Sequence, residues 1–360
     1  MKFQVLQTSG RARLGRLEIA GQVIETPAFM PVGTLGTVRT LEAEEVLELG
    51  YRLILGNTYH LWLRPGLEVI SRFGGLKRFM GWPGALLTDS GGFQIFSLSK
   101  IRKLDDDGVT FSAPEDGGDV HRLTPERALE IQRDLGADIA MVLDECPPFP
   151  CEAEALRKAV ERTIDWARRS ARWLGENPLG GCVFAITQGS TDLDLRRQCL
   201  DALQSLKFSG YAVGGLAVGE PNEVMYETLD RILPDYPADR PRYLMGVGAP
   251  ADLETCARLG VDLFDCVLPT RNARRGQLLT SQGPVNIRNS EHERSESPPD
   301  PACACRVCRK YSRAYLRHLF QCDEILGLKL ATYHNLFYVQ SVMESVRNGI
   351  RSGGSAGAAQ

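Results

Sequence analysis

The chain has 360 residues, of which 43% are hydrophobic and 24% are charged. This composition excludes a disordered or fibrous protein and is typical of a soluble globular chain. The formal net charge of −3 gives no overall indication of a nucleic-acid-binding protein. No apolar run is long enough to span a membrane and no secretion signal follows Met1, so we expect a cytoplasmic protein.

The elements in chain order predict an α/β fold. Turn signals at Gly10 and Gly21 predict a small set of antiparallel strands at the N-terminus. Eight short apolar runs follow as candidate strands: 27–32, 52–56, 85–88, 137–143, 182–186, 211–213, 243–246 and 261–264. Helical patterns lie between them, at 125–135, 153–174, 194–206, 222–233 and 251–259. Eight β-then-α units predict a (β/α)8 TIM barrel.

Two segments interrupt this alternation. The stretch rich in Gly and Asp at 105–119 predicts a hairpin inserted after the third strand. A block rich in Cys and basic residues follows the eighth strand and leads to a final helix at about 332–347. We expect one catalytic barrel domain at 1–350, with an inserted subdomain at about 270–335 and a flexible tail at 351–360.

The inserted block has the features of a metal site on a positive surface. Cys303, Cys305, Cys308 and His334 supply three thiolates and one imidazole, a full tetrahedral set for one structural zinc ion. Four protein ligands leave no open coordination position, so the metal is expected to hold structure only. Residues 271–317 contain ten basic and four acidic side chains, although Arg294 and Arg306 are interpreted as ordinary solvated charges.

Polar residues follow the candidate strands, where a TIM barrel holds its chemistry. Asp89, Asp144 and Asp265 would bring three carboxylates to one barrel mouth, where burial and mutual repulsion raise their free energy. Two carboxylates across such a mouth suit exchange at a glycosidic bond, one as nucleophile and the other as acid and base. A single Asp at this position could equally be a helix cap.

A second group of residues suits recognition of a flat heterocycle. Gly214 and Gly215 offer backbone N–H and C=O groups beside the carboxylate of Glu220. Phe93 and Met245 could close above and below a ring, since aromatic and thioether groups both pack on π-systems. Packing in the barrel interior is the alternative interpretation for both side chains.

These motifs, taken in order, resemble the bacterial tRNA-guanine transglycosylases, also called queuine tRNA-ribosyltransferases. The resemblance spans nearly the whole chain. It is carried by the motifs GNTYHL at 56–61, TDSGGFQ at 88–94, DEC at 144–146, GGLAVGE at 214–220, YLMGVG at 243–248, FDCVLPTR at 264–271, and the Cys/His set with YSRAYL at 311–316.

The resemblance implies a pentosyltransferase of queuosine biosynthesis. Such an enzyme exchanges the wobble guanine of a tRNA anticodon for 7-aminomethyl-7-deazaguanine, without cutting the backbone. The position of Asp265 matches the nucleophile, which forms a covalent aspartyl-ribose intermediate, and Asp89 matches the acid/base group. The family also implies a homodimer that binds the tRNA anticodon stem-loop.

The resemblance assigns the remaining site residues as well. Asp144, Gln188 and the Gly215 N–H match groups that read the guanine edge, and Phe93 and Met245 match the residues that sandwich the ring. The Leu216 carbonyl and Glu220 match positions that serve the aminomethyl arm, and Cys146 and Val218 match positions that help to select the substrate. Arg271 and Arg274 match positions that contact RNA.

Two other classes of function compete with this interpretation. A non-catalytic tRNA-binding subunit would be expected to have lost Asp265 or Asp89, and both are present. An unrelated zinc hydrolase on the same barrel would need an open metal position, which the four-ligand set does not leave.

Overall fold

The computed structural model describes residues 1–98, 102–113 and 117–353. The strands within these ranges are β1 (Lys2–Ser9), β2 (Ala12–Ile19), β3 (Gln22–Thr26), β4 (Ala28–Gly33), β5 (Leu53–Gly56), β6 (Ala85–Thr88), β7 (Arg102–Asp105), β8 (Gly108–Ser112), β9 (Val120–Leu123), β10 (Ile139–Met141), β11 (Cys182–Thr187), β12 (Gly210–Val213), β13 (Arg242–Leu244), β14 (Leu263–Cys266), β15 (Gln277–Leu278) and β16 (Val285–Asn286).

The helices of the same ranges are α1 (Ala43–Glu48), α2 (Thr58–Leu61), α3 (Leu67–Arg72), α4 (Leu76–Met80), α5 (Gly92–Leu98), α6 (Pro125–Leu135), α7 (Ala153–Glu176), α8 (Leu193–Ser205), α9 (Asn222–Ile232), α10 (Pro250–Arg258), α11 (Leu268–Arg274), α12 (Arg306–Lys310), α13 (Arg313–Gln321) and α14 (Ile325–Arg351). None of these helices is long and apolar enough to cross a membrane.

Eight parallel strands close into a barrel in the order β10-β11-β12-β13-β14-β4-β5-β6. Each predicted strand contributes one barrel strand, so the (β/α)8 fold is confirmed. The first and last barrel strands in the chain, β4 and β14, pair directly, with Asp265 opposite Met30. This pairing closes the barrel and brings the carboxyl ends of all eight strands to one mouth.

The burial of the barrel strands follows from their sequences. β4, β5 and β6 are continuous apolar runs buried on both faces, as expected for parallel strands covered by helices. Side chains such as Met30, Phe184 and Tyr243 fill the barrel interior. The surrounding helices begin at ordinary signals: Thr124 caps α6 ahead of Pro125, and Asp192 caps α8.

Three small antiparallel sheets accompany the barrel in the described ranges, and one of them is the two-stranded pair β15-β16. β1, β2 and β3 form the predicted N-terminal set. The insertion after the third barrel strand is a three-stranded sheet, with β8 between β7 and β9. The predicted hairpin is thus part of a larger sheet that begins before residue 105, and residues 114–116 lie outside the described ranges.

The final helix is longer than the sequence pattern predicts. α14 begins at Ile325 rather than about Thr332, and it ends at Arg351. Gly327 lies within the helix and allows α13 to approach closely. A Cβ added at this position would lie 2.9 Å from Leu319 Cβ. Arg351 was expected to begin the tail, and residues 354–360 lie outside the described ranges.

Two arginines and one aspartate are buried at the opposite end of the barrel from the mouth. Asp262, fully buried, precedes β14 and accepts a hydrogen bond from the Arg242 N–H at 2.8 Å. The Arg13 guanidinium lies 3.2 Å from the same carboxylate. Burial raises the pKa of Asp262 to about 6, although both arginine charges oppose this shift. The carboxylate therefore neutralises part of a buried positive cluster.

Candidate active site

The residues predicted for catalysis and base recognition converge on the barrel mouth. Each lies at or just after the carboxyl end of its own strand, in loops that the closed sheet holds side by side. In order around the barrel they are Asp144 after β10, Gln188 after β11, Gly214 after β12, Met245 after β13, Asp265 in β14 and Asp89 after β6.

Asp265 is held by two donors on one of its oxygens. The buried Tyr243 hydroxyl donates to Oδ1 at 2.6 Å, and the Gly246 N–H donates to the same atom at 3.0 Å. Burial raises the pKa of Asp265, although both hydrogen bonds lower it. Because the donors occupy Oδ1, the second oxygen is left available to a substrate.

Asp89 follows β6, and Asp265 lies in β14; the strands β4 and β5 lie between them in the barrel. Its carboxylate accepts hydrogen bonds from the Asn57 side chain at 2.7 Å and from the Thr58 N–H at 2.8 Å. Burial raises the pKa of Asp89 to about 7, the bonds from Thr58 lower it, and the charge of Asp265 raises it further. The group can therefore gain or lose a proton near neutral pH.

Asp144 is buried and accepts hydrogen bonds from neutral side chains. Gln188 Nε2 donates to its carboxylate at 2.6 Å, and the Ser90 hydroxyl lies at 3.5 Å. Burial raises the pKa of Asp144 to about 6, although both side chains lower it. The adjacent Glu145 differs, because it forms an ion pair with Arg162. Two carboxylates that are neighbours in the sequence therefore differ: Glu145 is held in an ion pair, whereas Asp144 faces the mouth.

Gly214 and Gly215 pack closely on Gln188. A Cβ on Gly214 would lie 2.7 Å from Gln188 Nε2, and one on Gly215 would lie 2.3 Å from Gln188 Oε1. Only glycine leaves room for this approach, and Gly215 also has a positive φ of +63°. Burial and the Asp144 charge raise the pKa of the Cys146 thiol to about 12, whereas Gln188 and the Gly215 N–H lower it. These four residues therefore lie in close contact at the mouth.

The turn after Leu216 is fixed by Glu220. The Glu220 carboxylate accepts hydrogen bonds from the Ala217 N–H and, at 3.1 Å, from the Val218 N–H. A trans peptide directs its N–H and C=O to opposite sides. The Leu216 carbonyl therefore points away from Glu220.

The two predicted ring-stacking side chains differ in exposure. Phe93, at the start of α5, is 51% exposed. Met245 is partly buried and packs against the barrel interior. Both flank the mouth, and neither is enclosed by its neighbours.

The four predicted metal ligands form one cluster. The ligand atoms of Cys303, Cys305, Cys308 and His334 all lie within 4.8 Å of one another. The Cys sulfurs are 3.9, 3.5 and 3.3 Å from His334 Nδ1, close to the roughly 3.6 Å expected between S and N ligands of a tetrahedral zinc ion. The other ring nitrogen, Nε2, faces the Leu279 carbonyl at 2.8 Å, which fixes the ring orientation. The cluster fits a zinc ion.

Arg271 and Arg274 lie on α11, the helix that follows Asp265. Arg271 is exposed and Arg274 is half-buried. Burial lowers the pKa of Arg274, and so do the charges of Arg39, Arg271 and Arg275. Four arginines therefore create a concentrated positive charge beside the mouth, where phosphate groups could bind.

Comparison with known proteins places the whole chain in one family. The model of the queuine tRNA-ribosyltransferase family matches residues 8–359. The chain belongs to this family. A queuine tRNA-ribosyltransferase of Pseudomonas aeruginosa is 51% identical over 353 residues, covering 98% of this chain and 94% of the relative. The proteins of that name from Azotobacter vinelandii and Hamiltonella defensa are 51% and 49% identical, over 98% and 97% of this chain and 94% of each relative.

Membership of the queuine tRNA-ribosyltransferase family makes the chain a pentosyltransferase. The fold predicted from the eight β-then-α units and the family predicted from the resemblance are both confirmed. The individual roles of Asp89, Asp265 and the base-pocket residues are not tested by these comparisons and stay predictions.

Several residues beside the site were given no role by the sequence. Tyr243 and Asn57 each hold a catalytic candidate; they lie in the motifs YLMGVG and GNTYHL, but the sequence assigned them no role. Asn335, fully buried beside His334, accepts from the Leu279 N–H at 2.9 Å and donates to the Pro269 and Gln277 carbonyls, both at 3.0 Å. It thereby joins α14 to α11.

Arg306 is exposed, as expected for a surface charge, but it also has fixed partners. Its guanidinium forms ion pairs with Glu45 and Glu48 and lies 4.0 Å from the centre of the Tyr333 ring. These contacts tie α12 to α1 and α14. Arg294 is exposed, as expected.

Proposed function

We propose that this chain exchanges the wobble guanine of a tRNA anticodon for 7-aminomethyl-7-deazaguanine in queuosine biosynthesis. The observation that carries the proposal is the placement of Asp265, held through one oxygen by Tyr243 and Gly246, opposite the buried Asp89. One carboxylate is thereby oriented for attack and the other is set to exchange protons near neutral pH.

The reaction proceeds by two displacements at the ribose C1′ atom. The free oxygen of Asp265 attacks C1′ as the bond from C1′ to guanine N9 breaks, and Asp89 supplies the proton that the leaving guanine takes up. The incoming base then loses its N9 proton to Asp89 and attacks C1′, which releases the Asp265 carboxylate. Two inversions at one carbon retain the original anomeric configuration.

The base pocket reads the edge of the heterocycle. Asp144 accepts N–H groups of the base, while the Gly215 N–H and the second N–H of Gln188 donate to the ring carbonyl. The Leu216 carbonyl accepts from the aminomethyl arm, Cys146 limits the space beside it, and Phe93 and Met245 stack on the ring faces. Glu220 contributes by fixing the Leu216–Ala217 peptide.

The RNA substrate is an anticodon stem-loop whose base turns out into the mouth. An unpaired loop base can be extruded at modest cost, which suits a pocket at the end of a barrel. Arg271 and Arg274 would bind the flanking phosphates, supported by the charges of Arg39 and Arg275.

Zinc is the metal proposed for the Cys303, Cys305, Cys308 and His334 cluster, as one structural ion per chain. It fixes the block between β15 and α14 and takes no part in the reaction. Cys308→Ala is expected to remove bound zinc and to lower the melting temperature, as measured by metal analysis and calorimetry. An unaltered zinc content would contradict the assignment.

The exchange reaction is tested by incorporation of labelled guanine into unmodified tRNA. The wild type is expected to incorporate the label, and Asp265→Asn to lose at least about 10⁴-fold in rate because the nucleophile is gone. Asp239→Asn, at an exposed carboxylate, is the matched control. A folded wild type that binds tRNA without exchange would favour the alternative, a non-catalytic tRNA-binding subunit.

The homodimer and the cytoplasmic location also stay predictions. Light scattering would test the first, and cell fractionation would test the second.

A further inference from the structure

Arg196, in the first turn of α8, lies behind the base pocket and is only 2% exposed. Burial lowers its pKa, while Tyr236, Cys199, Cys146 and Glu220 have the opposite effect. Within the described residues its guanidinium donates two hydrogen bonds, both to backbone carbonyls rather than to a carboxylate. A guanidinium buried in this way is costly unless its hydrogen bonds are used well.

The two carbonyls belong to the two loops that form the base pocket. Arg196 Nε donates to the Ser190 carbonyl at 2.6 Å, in the loop that carries Gln188. Its Nη2 donates to the Gly214 carbonyl at 2.8 Å, in the loop that carries Gly215. One planar group therefore clamps the loops after β11 and β12 to each other.

The clamp determines the direction of the Gly215 N–H. This N–H shares a trans peptide with the Gly214 carbonyl, so the two groups point in opposite directions. Since the carbonyl is directed at Arg196, the N–H is directed away from it, toward Cys146. The buried arginine thus sets the orientation of a donor in the base pocket without touching the base.

The loop on the Ser190 side has little freedom to compensate. Ser190 has a positive φ of +48°, which side-chain-bearing residues rarely adopt. A Cβ on Gly189 would lie 2.8 Å from Arg196 Cγ and from its backbone nitrogen. Gly189 packs directly on the clamp, so loss of the guanidinium would release a strained segment beside Gln188.

We propose that Arg196 is a positioning residue for base recognition, which clamps the Ser190 and Gly214 carbonyls so that the Gly215 N–H faces the heterocycle. This inference rests on the proposed function for the identity of the base. Lysine cannot replace arginine fully, because one ammonium group on a flexible stem does not reproduce two donors in a rigid plane.

The test compares Arg196→Met and Arg196→Lys with Arg197→Met. Arg197 is the next residue of the same helix, half-exposed and paired with Asp235, and serves as the matched control. We expect Arg196→Met to raise the KM for guanine about tenfold, Arg196→Lys to lie between it and the wild type, and Arg197→Met to match the wild type. The Kd for tRNA and the kcat at saturating guanine should change less than threefold.

A guanine KM equal to the wild-type value in both folded Arg196 variants would overturn the inference. An equal rise in the Kd for tRNA would also overturn it, since that indicates general loss of structure. If Arg196→Met does not fold, Arg196→Lys decides alone. Absence of exchange by the wild type would instead contradict the proposed function, and the Kd for guanine measured by calorimetry on the same proteins would then test the clamp.

Discussion

The two ends of the barrel bury carboxylates in opposite surroundings. At the end away from the mouth, Asp262 lies against Arg13 and accepts from the Arg242 backbone, so its negative charge offsets buried positive charge. At the mouth, the donors to Asp89, Asp144 and Asp265 among the described residues are neutral groups. Burial raises the pKa of carboxylates at both ends, so a shifted pKa does not by itself distinguish a functional group. The partners of the carboxylate make the distinction.

The largest expected difference between the two ends concerns stability. Asp262→Ala would leave Arg13 and Arg242 buried without their counter-charge, and we expect it to lower the free energy of unfolding by about 3–5 kcal/mol at pH 8. Asp230→Ala, at an exposed ion pair with Arg11, should cost less than about 1 kcal/mol. Urea denaturation of both variants measures the contrast. Equal losses would mean that the buried charge of Asp262 stabilises the fold no more than an exposed charge does.

A smaller effect is expected from the dependence of guanine binding on pH. The carboxylate of Asp144 must be ionised to accept N–H groups from the base, and its pKa of about 6 places the change within an accessible range. As pH falls below 6, protonation should weaken binding of free guanine about tenfold per pH unit. Calorimetry between pH 5 and 8 measures this change. Asp89→Asn is the control, because it removes a second mouth carboxylate, with a pKa of about 7, and should leave the midpoint near 6.

The smallest effect is a gain of stability at the mouth. Asp265→Asn removes a carboxylate whose pKa is raised by burial, while its amide oxygen can still accept from Tyr243 and Gly246. We expect the free energy of unfolding to rise by about 0.5–1 kcal/mol although exchange is lost. A loss of more than 1 kcal/mol in urea denaturation would mean that Asp265 stabilises the fold, as Asp262 does.

The sequence predicted the barrel well because its signals are periodic and local. Continuous apolar runs identify parallel strands, and the ligand spacing of 303–308 identifies a metal cluster before any fold is known. Glycines were less informative. The sequence pattern began the final helix at about Thr332, whereas Gly327 already lies inside α14, packed against α13.

The contacts that hold the site were harder to predict. Arg196 and Asn335 act through backbone carbonyls that are distant in sequence, and such partners have no characteristic residue type. The ion pair of Arg306 with Glu45 could not be predicted, because it depends on the packing of α1 beside α12. Candidate catalytic groups were therefore visible from motifs, whereas the side chains that orient them depend on the three-dimensional arrangement.

The pairing of β4 with β14 also bears on how the chain is made. A polypeptide leaves the ribosome from its N-terminus, so β4 emerges early and its partner strand emerges only when Cys266 has been synthesised. Until then the nascent barrel has two open strand edges, which are sites for wrong pairing. α14 follows last, and its Arg347 donates to the Pro27 carbonyl at 2.7 Å, just before β4. Barrel closure therefore needs β14, and the contact of Arg347 with Pro27 needs α14, so both form only long after β4 has been synthesised.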